Sequence, residues 1–173
     1  MDNSQFTTLL IENVNSGNYY AIKRSFGQTL DNCDINALIA FTKISQDANT
    51  SLTDRNVEFL VAGLCYNTMK QNSPYNTNRV SYETVLRRLY KSKDSTDSIR
   101  GSIENLLKLR YDQNGYFNKK FVSLSKKVIP LLRSNESFNY SELLEDLKNW
   151  NNGNRVKLKW AKALVVFDDE KKG

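Results

Sequence analysis

Four lysines, Lys119, Lys120, Lys126 and Lys127, stand in a stretch where no acid occurs between residues 113 and 135. A lysine offers phosphate a flexible point charge, so this grouping points to a polyanion as partner. The surrounding residues Phe117, Phe121, Leu124, Val128 and Leu131 recur at the 4-3-4-3 interval of an amphipathic helix. At ~100° per residue the apolar stripe spans about ±40° around its centre. Lys119 and Lys126 fall near ~180–200°, opposite the core, and Lys120 and Lys127 near about −60° to −80°, on one shoulder. Each pair is seven residues apart, which makes a row about 10.5 Å long by the helical rise. That matches about three phosphates of one duplex strand, at roughly 3.4 Å of axis each.

Further basic groups are Lys23-Arg24, Arg87-Arg88 with Lys91 and Lys93, Lys108/Arg110, and Arg155/Lys157/Lys159/Lys162. The net charge of +6 is unevenly spread. Residues 1–86 hold 6 Lys+Arg against 8 Asp+Glu, a balance of −2, and residues 87–173 hold 19 against 11, a balance of +8. Backbone contacts of this kind fix position without reading base sequence. Tyr19, Tyr20, Tyr66, Tyr75, Tyr111 and Tyr116 have faces suited to base stacking, although packing at helix ends is their commoner use.

Catalytic chemistry finds little material. The chain has no histidine, which removes the commonest general base, metal ligand and partner of a nucleophile. Its seven glycines form neither GxGxxG nor GxxxxGK. Cys33 and Cys65 are isolated, too few for a zinc site, and read as buried free thiols. Glu142, Glu145 and Asp146 lie together on one expected helix, with Glu142 and Asp146 on its exposed side, where Glu142 complements the helix dipole. The expectation is a protein that is not an enzyme and takes no cofactor or metal. No apolar run approaches the ~18–20 residues of a membrane span. The opening stretch MDNSQFTTLLIENVNS lacks the features of a secretory signal, so a cytoplasmic location is expected.

The elements that must position these residues read as helices throughout. The pattern predicts an all-α fold of about nine helices in two small helical-bundle lobes, residues 1–78 and a basic lobe over 79–173. Segments run from Phe6 to Val14, ended by Asn15-Ser16-Gly17, from Asn18 to Phe26, and from Ile35 to Ile44 behind Asp34 as N-cap. A fourth follows Ser51/Thr53 and reaches about Met69, and QNSPYNTN over 71–78 is the expected loop between lobes. Ser81 caps the next helix, KSKDSTDS is a polar connection, and Ile99, Ile103, Leu106 and Leu107 form another stripe. Pro130 ends or kinks the Phe117–Leu131 helix. Asn139 opens the following helix, with Glu142 as in a capping box, and Asn151-Asn152-Gly153 closes it. The last helix presents Val156, Trp160, Leu164 and Phe167; both tryptophans read as core.

The C-terminal stretch FNYSELLEDLKNWNNGNRVKLKWAKALVV resembles the signature of the CasB family, the small subunit of the type I-E CRISPR surveillance complex Cascade. The residues that carry it are Tyr140, Leu143, Leu144, Asp146, Leu147, Trp150, Trp160 and Ala161. Upstream, AIKRSF, INALIAFTKI, RVSYETVLRRL, SIENLLKLR and LSKKVIPLL are similar to family segments in the same order, over roughly residues 5–167. The chain departs from the pattern at Glu83, where the family has glycine, at Gly101-Ser102, where it has an arginine pair, and at Lys126, where it has arginine. The resemblance implies an all-α, two-lobed, non-enzymatic subunit, two copies of which line Cascade beside the guide RNA. Its implied partners are the backbone and large subunits of the crRNA-guided complex, the target DNA, the displaced strand and a second copy of itself. The implied nucleic-acid contacts are Lys23, Arg24, Lys108, Lys126 and Lys127, with Arg55, Arg110 and Lys120. A stand-alone helical DNA-binding regulator, with Arg87-Arg88 on a recognition helix, is the alternative, and a protein-only adaptor a third reading.

Overall fold

The computed structural model describes residues 2–13, 19–45, 50–68, 78–112 and 114–165. Among them are nine α-helices, one 3-10 turn and two strands of three residues each. The helices are α1 Asn3–Glu12, α2 Tyr19–Arg24, α3 Ile35–Ile44, α4 Leu52–Thr68, α5 Tyr82–Tyr90, α6 Asp97–Lys108, α7 Tyr116–Val128, α8 Tyr140–Lys148 and α9 Arg155–Val165. The expected stop at Asn15-Ser16-Gly17, Met69, Tyr75, Phe167 and the charged tail lie outside the described residues.

Short polar side chains set most helix starts by accepting the N–H groups that a first turn leaves open. The α1 helix begins earlier than its apolar stripe, at Asn3 behind Asp2 as N-cap. The Asp2 carboxylate accepts the Gln5 N–H and the Gln5 side chain accepts the Asp2 N–H, both at 2.8 Å. Ser51, Ser81 and Thr96 accept from the backbone N–H groups of Asp54, Thr84 and Ile99 at 3.1–3.2 Å. Asp34 stands at the N-cap position of α3 but makes no capping hydrogen bond. Pro130 acts as expected, since α7 stops at Val128 and passes into a 3-10 turn, Ile129–Leu131.

Asn139 caps α8 by accepting the Glu142 N–H at 3.1 Å. The reciprocal half of a capping box is missing because the Asn139 N–H donates to the Val80 carbonyl at 2.8 Å. The Glu142 carboxylate takes the Asn139 side-chain amide instead, at 3.3 Å. Val80 ends β1 (Asn78–Val80), which pairs in parallel with β2 (Glu136–Phe138) in the register Asn78↔Glu136 to Val80↔Phe138. No residue pattern announces these strands, which are too short to show a period of two.

Buried apolar residues from α1 through α9 form one continuous cluster. The α4 helix is its axis, covered by α2 and α8 and buried almost without break from Asn56 to Tyr66. Around Tyr82 the rings of Phe121, Phe138 and Trp160 stand 4.9, 5.3 and 5.5 Å away. Trp150 meets Trp160 edge-on at 5.1 Å and Phe117 at 5.4 Å, so both tryptophans are core, as their stripes imply. Polar links cross the same interior. Lys148 reaches Glu58 at 3.0 Å and Asn3 at 2.7 Å, which ties α8 to α4 and α1. None of the described helices is long and apolar enough to cross a membrane.

Candidate nucleic-acid interface

Two anchored segments bring the basic residues of the first half towards those of the second. The α2 helix is fixed on α4: the Tyr19 hydroxyl donates to the Tyr66 carbonyl at 3.1 Å, and the Asn67 amide donates to the Lys23 carbonyl at 3.1 Å. Lys23, in the last turn, holds its ammonium 5.6 Å from the Tyr19 ring centroid. Arg24 is exposed beside it. The chain then turns at Ser25 to Gln28. Phe26 fits against Gly63, where a Cβ would come within 2.8 Å of its ring, and meets Phe121 of α7 edge-on at 6.5 Å. Gly27 follows at φ +96°, a conformation that favours glycine, and a Cβ there would stand 2.7 Å from Val122 Cγ2.

This turn lies along the outward face of α7 and forms with it a groove of about 350 Å³. Phe26, Gly27 and Gln28 make one wall and Lys119, Val122, Ser123 and Lys126 the other. Helical phasing turns Lys119 and Lys126 away from the core, and both are exposed. Neither has a carboxylate partner among the described residues. The exposed Lys120 and Lys127 lie on the adjacent shoulder, with the Lys120 ammonium 5.5 Å from the ring of Tyr116, itself 51 % exposed. Lys119, Ser123 and Gln28 were absent from the residues implied by resemblance; for Lys119 the phasing alone carried the signal.

Lys108 and Arg110 belong to a second anchored segment. The Trp150 indole N–H donates to the Leu109 carbonyl at 2.8 Å, and Asn151 both donates to and accepts from the Tyr111 backbone at 2.8 Å. Lys108 and Arg110 flank these bonds and are exposed. Lys157 of α9 lays its ammonium 5.7 Å from the Trp150 ring centroid. Burial and the nearby Arg110 guanidinium lower its pKa from the ordinary lysine value. Arg55, in the first turns of α4, is half-buried, engaged with other groups, and lines no part of the groove. Tyr19, Tyr66 and Tyr111 are core residues, whereas Tyr20, like Tyr116, is exposed.

Two expectations are corrected. Asp146 is not on the exposed side of α8: it is buried, accepting from the Trp160 indole N–H at 2.9 Å and from Lys159 at 2.7 Å. Phasing along α8 alone missed it because α9 covers that side. Cys33 is only half-buried, while Cys65 is fully enclosed and burial pushes its thiol up to about 12. Glu83, Glu142 and Asp146 gather within 4.8 Å of one another, the only metal-like grouping among the described residues. The Lys159 ammonium fills that place, 2.7 Å from Asp146, 3.4 Å from Glu142 and 3.8 Å from Glu83. Glu83 thus completes a partly exposed ion cluster in which it and Asp146 are buried. Arg100, beside the missing arginine pair, is bound to Asp97 at 2.7 Å.

Comparison with known proteins places the chain. The model of the CRISPR-associated protein Cse2 family matches residues 21–163. Two solved structures share the fold. The crystal structure of M. ruber CasB superposes with a TM-score of 0.74 at 20 % identity, covering 98 % of this chain and 95 % of that one. A CRISPR-associated protein of the Cse2 family from Thermus thermophilus gives a TM-score of 0.70 at 18 % identity, covering 95 % of this chain and 98 % of that one. No curated protein matches the chain in sequence. A family model that spans most of the chain, together with a shared fold over nearly all of it, identifies the protein as a member of the Cse2 family of CRISPR-associated proteins.

Proposed function

We propose that the protein is the non-catalytic small subunit of a type I-E surveillance complex in the cytoplasm, where it holds nucleic-acid backbone and stabilises the R-loop in antiviral defence. One observation carries this reading: the turn after Lys23-Arg24 packs along the α7 face that bears Lys119 and Lys126, and no acid interrupts residues 113–135. A row of unneutralised cations beside a shallow groove suits phosphates and carries no base-reading geometry. The exchange of DNA duplex for RNA–DNA heteroduplex is nearly balanced, so modest backbone contacts tip it. Lys23, Arg24, Lys120, Lys126 and Lys127 are the proposed contacts at this face, with Lys108 and Arg110 on the second anchored segment and Arg55 at the start of α4. The two-lobed division at residue 78, a second copy, the guide RNA and the larger subunits belong to the same proposal.

The regulator alternative is disfavoured by Arg88. Its guanidinium is committed to Glu136 through bonds of 2.6 and 2.9 Å and to the Leu131 carbonyl at 3.1 Å, so it is not a base-reading side chain. The test is target-DNA affinity of the reconstituted complex carrying Lys126→Glu/Lys127→Glu. The expected result is weakened binding with unchanged helicity and assembly. Affinity equal to wild type, or binding by the isolated chain that ignores salt, would overturn the proposal.

A further inference from the structure

Two of the seven glycines follow an asparagine, at Asn114-Gly115 and at Asn152-Gly153. Such a step carries its own reaction, because glycine puts no side chain in the way when its backbone nitrogen approaches the asparagine amide carbon. The two steps start alike. Both asparagines are exposed, and both glycines have positive φ, +85° at Gly115 and +66° at Gly153. Their hydrogen bonding differs. The Asn152 side-chain amide donates to Asn149 Oδ1 at 2.8 Å, and the Gly153 N–H donates to the Asn151 carbonyl at 3.1 Å. Both reacting groups of that step are thus held by the turn that closes α8. Asn114 is held only through its own backbone N–H, which the Asp112 carboxylate accepts at 3.2 Å. Among the described residues neither the Asn114 side-chain amide nor the Gly115 N–H has a hydrogen-bond partner.

We infer that Asn114 is a site of spontaneous deamidation, which places a negative charge at the start of the lysine-bearing helix as the chain ages. Solvent base removes the Gly115 amide proton, and the nitrogen bonds to Asn114 Cγ. The Cγ–Nδ2 bond breaks, and Nδ2 takes a proton from water and leaves as ammonia. Water then adds to either carbonyl of the succinimide ring and opens it to aspartate or isoaspartate. The net exchange turns one amide and one water into one carboxylic acid and one ammonia, with no oxidant, reductant or enzyme. No other acid occurs between residues 113 and 135, and the new carboxylate directly precedes Gly115, the N-cap of α7. That helix end favours an anion, so aspartate there leaves α7 intact. Lys119 lies one turn further on, its N–H donating to the Gly115 carbonyl at 3.0 Å. The consequence for binding rests on the backbone-binding reading above: the carboxylate repels the phosphates that this end of the lysine row attracts.

The experiment incubates the full native chain at mildly alkaline pH and follows both steps by peptide mapping. Mass reads the amide-to-acid exchange, and chromatography separates aspartate from isoaspartate. Asn114 is expected to convert several-fold faster than Asn152 in the native chain, and the two rates should converge in urea. Asn149→Ala, which removes the acceptor of the Asn152 amide, is expected to speed Asn152 and leave Asn114 unchanged. Native conversion of Asn152 as fast as Asn114 would overturn the inference, and so would an Asn114 that stays intact until the chain is unfolded. The charge effect is read separately with Asn114→Asp and a single-stranded oligonucleotide. The variant should bind several-fold more weakly than wild type at low salt, the gap closing as salt rises. Equal affinity, with wild type itself binding, would overturn the effect on binding and leave the proposed function standing. Absence of salt-dependent binding by wild type would overturn the proposed function and leave the deamidation site standing.

Discussion

Arg88 and Glu136 meet in a two-bond pair, at 2.6 and 2.9 Å, that clamps α5 to the β2 strand and holds the Glu136 carboxyl at about 2. The guanidinium is the main cause; burial opposes it, and the Arg133 backbone N–H adds a smaller lowering. Because the folded-state value lies below that of the unfolded chain, the pair stabilises the fold fully above the ordinary carboxylate range. That contribution is lost as pH falls from about 5 towards 2. Removing one partner, as in Arg88→Met or Glu136→Gln, is expected to cost about 3 kcal/mol near neutral pH. In Glu136→Gln the difference from wild type shrinks on acidification. Urea unfolding at a series of pH values measures both; a pH-independent difference would refute the assignment.

Gly27 is expected to reject a side chain for two separable reasons. Gly27→Ala meets Val122 Cγ2 at 2.7 Å and also strains the backbone at φ +96°. A destabilisation of about 1–3 kcal/mol follows, together with weaker binding of nucleic acid as the turn shifts off α7. Adding Val122→Ala should restore part of the stability, since it removes the clash and leaves the strain. Complete restoration would show that the backbone conformation costs nothing.

Neutralising Lys119 and Lys126 to Gln should leave the melting temperature nearly unchanged, since both are exposed. Duplex binding by the intact complex should weaken, with the salt slope reduced by about 0.9 for each phosphate no longer neutralised. A large stability change with no change in slope would make them structural residues.

Lys159 is expected to behave in the opposite way. Lys159→Met leaves Glu83 and Asp146 buried beside Glu142 without their cation, and burial already raises the Glu83 carboxyl above its ordinary value. Without the ammonium it rises further, so protonation relieves the variant at low pH. The destabilisation is therefore larger at pH 7 than at pH 5, by the sign expected for an acid whose folded-state value lies above its unfolded one. Thermal melts at the two pH values test this; equal destabilisation would exclude the carboxylates as the cause.

The two thiols should separate under alkylation. Cys33 is half-buried, whereas Cys65 is enclosed and held near 12. Mass spectrometry of the native chain treated with iodoacetamide is expected to find Cys33 modified first and Cys65 modified only after unfolding. The reverse order would mean that α4 opens more readily than its packing implies.

What could be read from the sequence follows from the range of each signal. Helix existence, the cores around Trp150 and Trp160, and the outward direction of Lys119 and Lys126 depend on local periodicity, and each was legible. The Gly27–Val122 contact depends on residues 95 positions apart, and the β1–β2 pair on strands too short for a pattern. The same limit explains Asp146, which looked exposed until α9 was laid over it. It also explains why the run Arg155/Lys157/Lys159/Lys162 could not be divided: Lys159 serves a carboxylate cluster, and Lys157 lies over the Trp150 ring.

The strand pair also has a consequence for biosynthesis. Asn78 and Glu136 are 58 positions apart in register, so at ~5–20 residues per second the ribosome needs about 3–12 seconds between making the two partners. Through that interval α8 is missing, although α1 and α4 both pack against it. The nascent chain therefore carries uncovered apolar helix faces for seconds. It completes its fold only when the segment that begins at β2 has left the exit tunnel, and until then those faces are open to wrong partners.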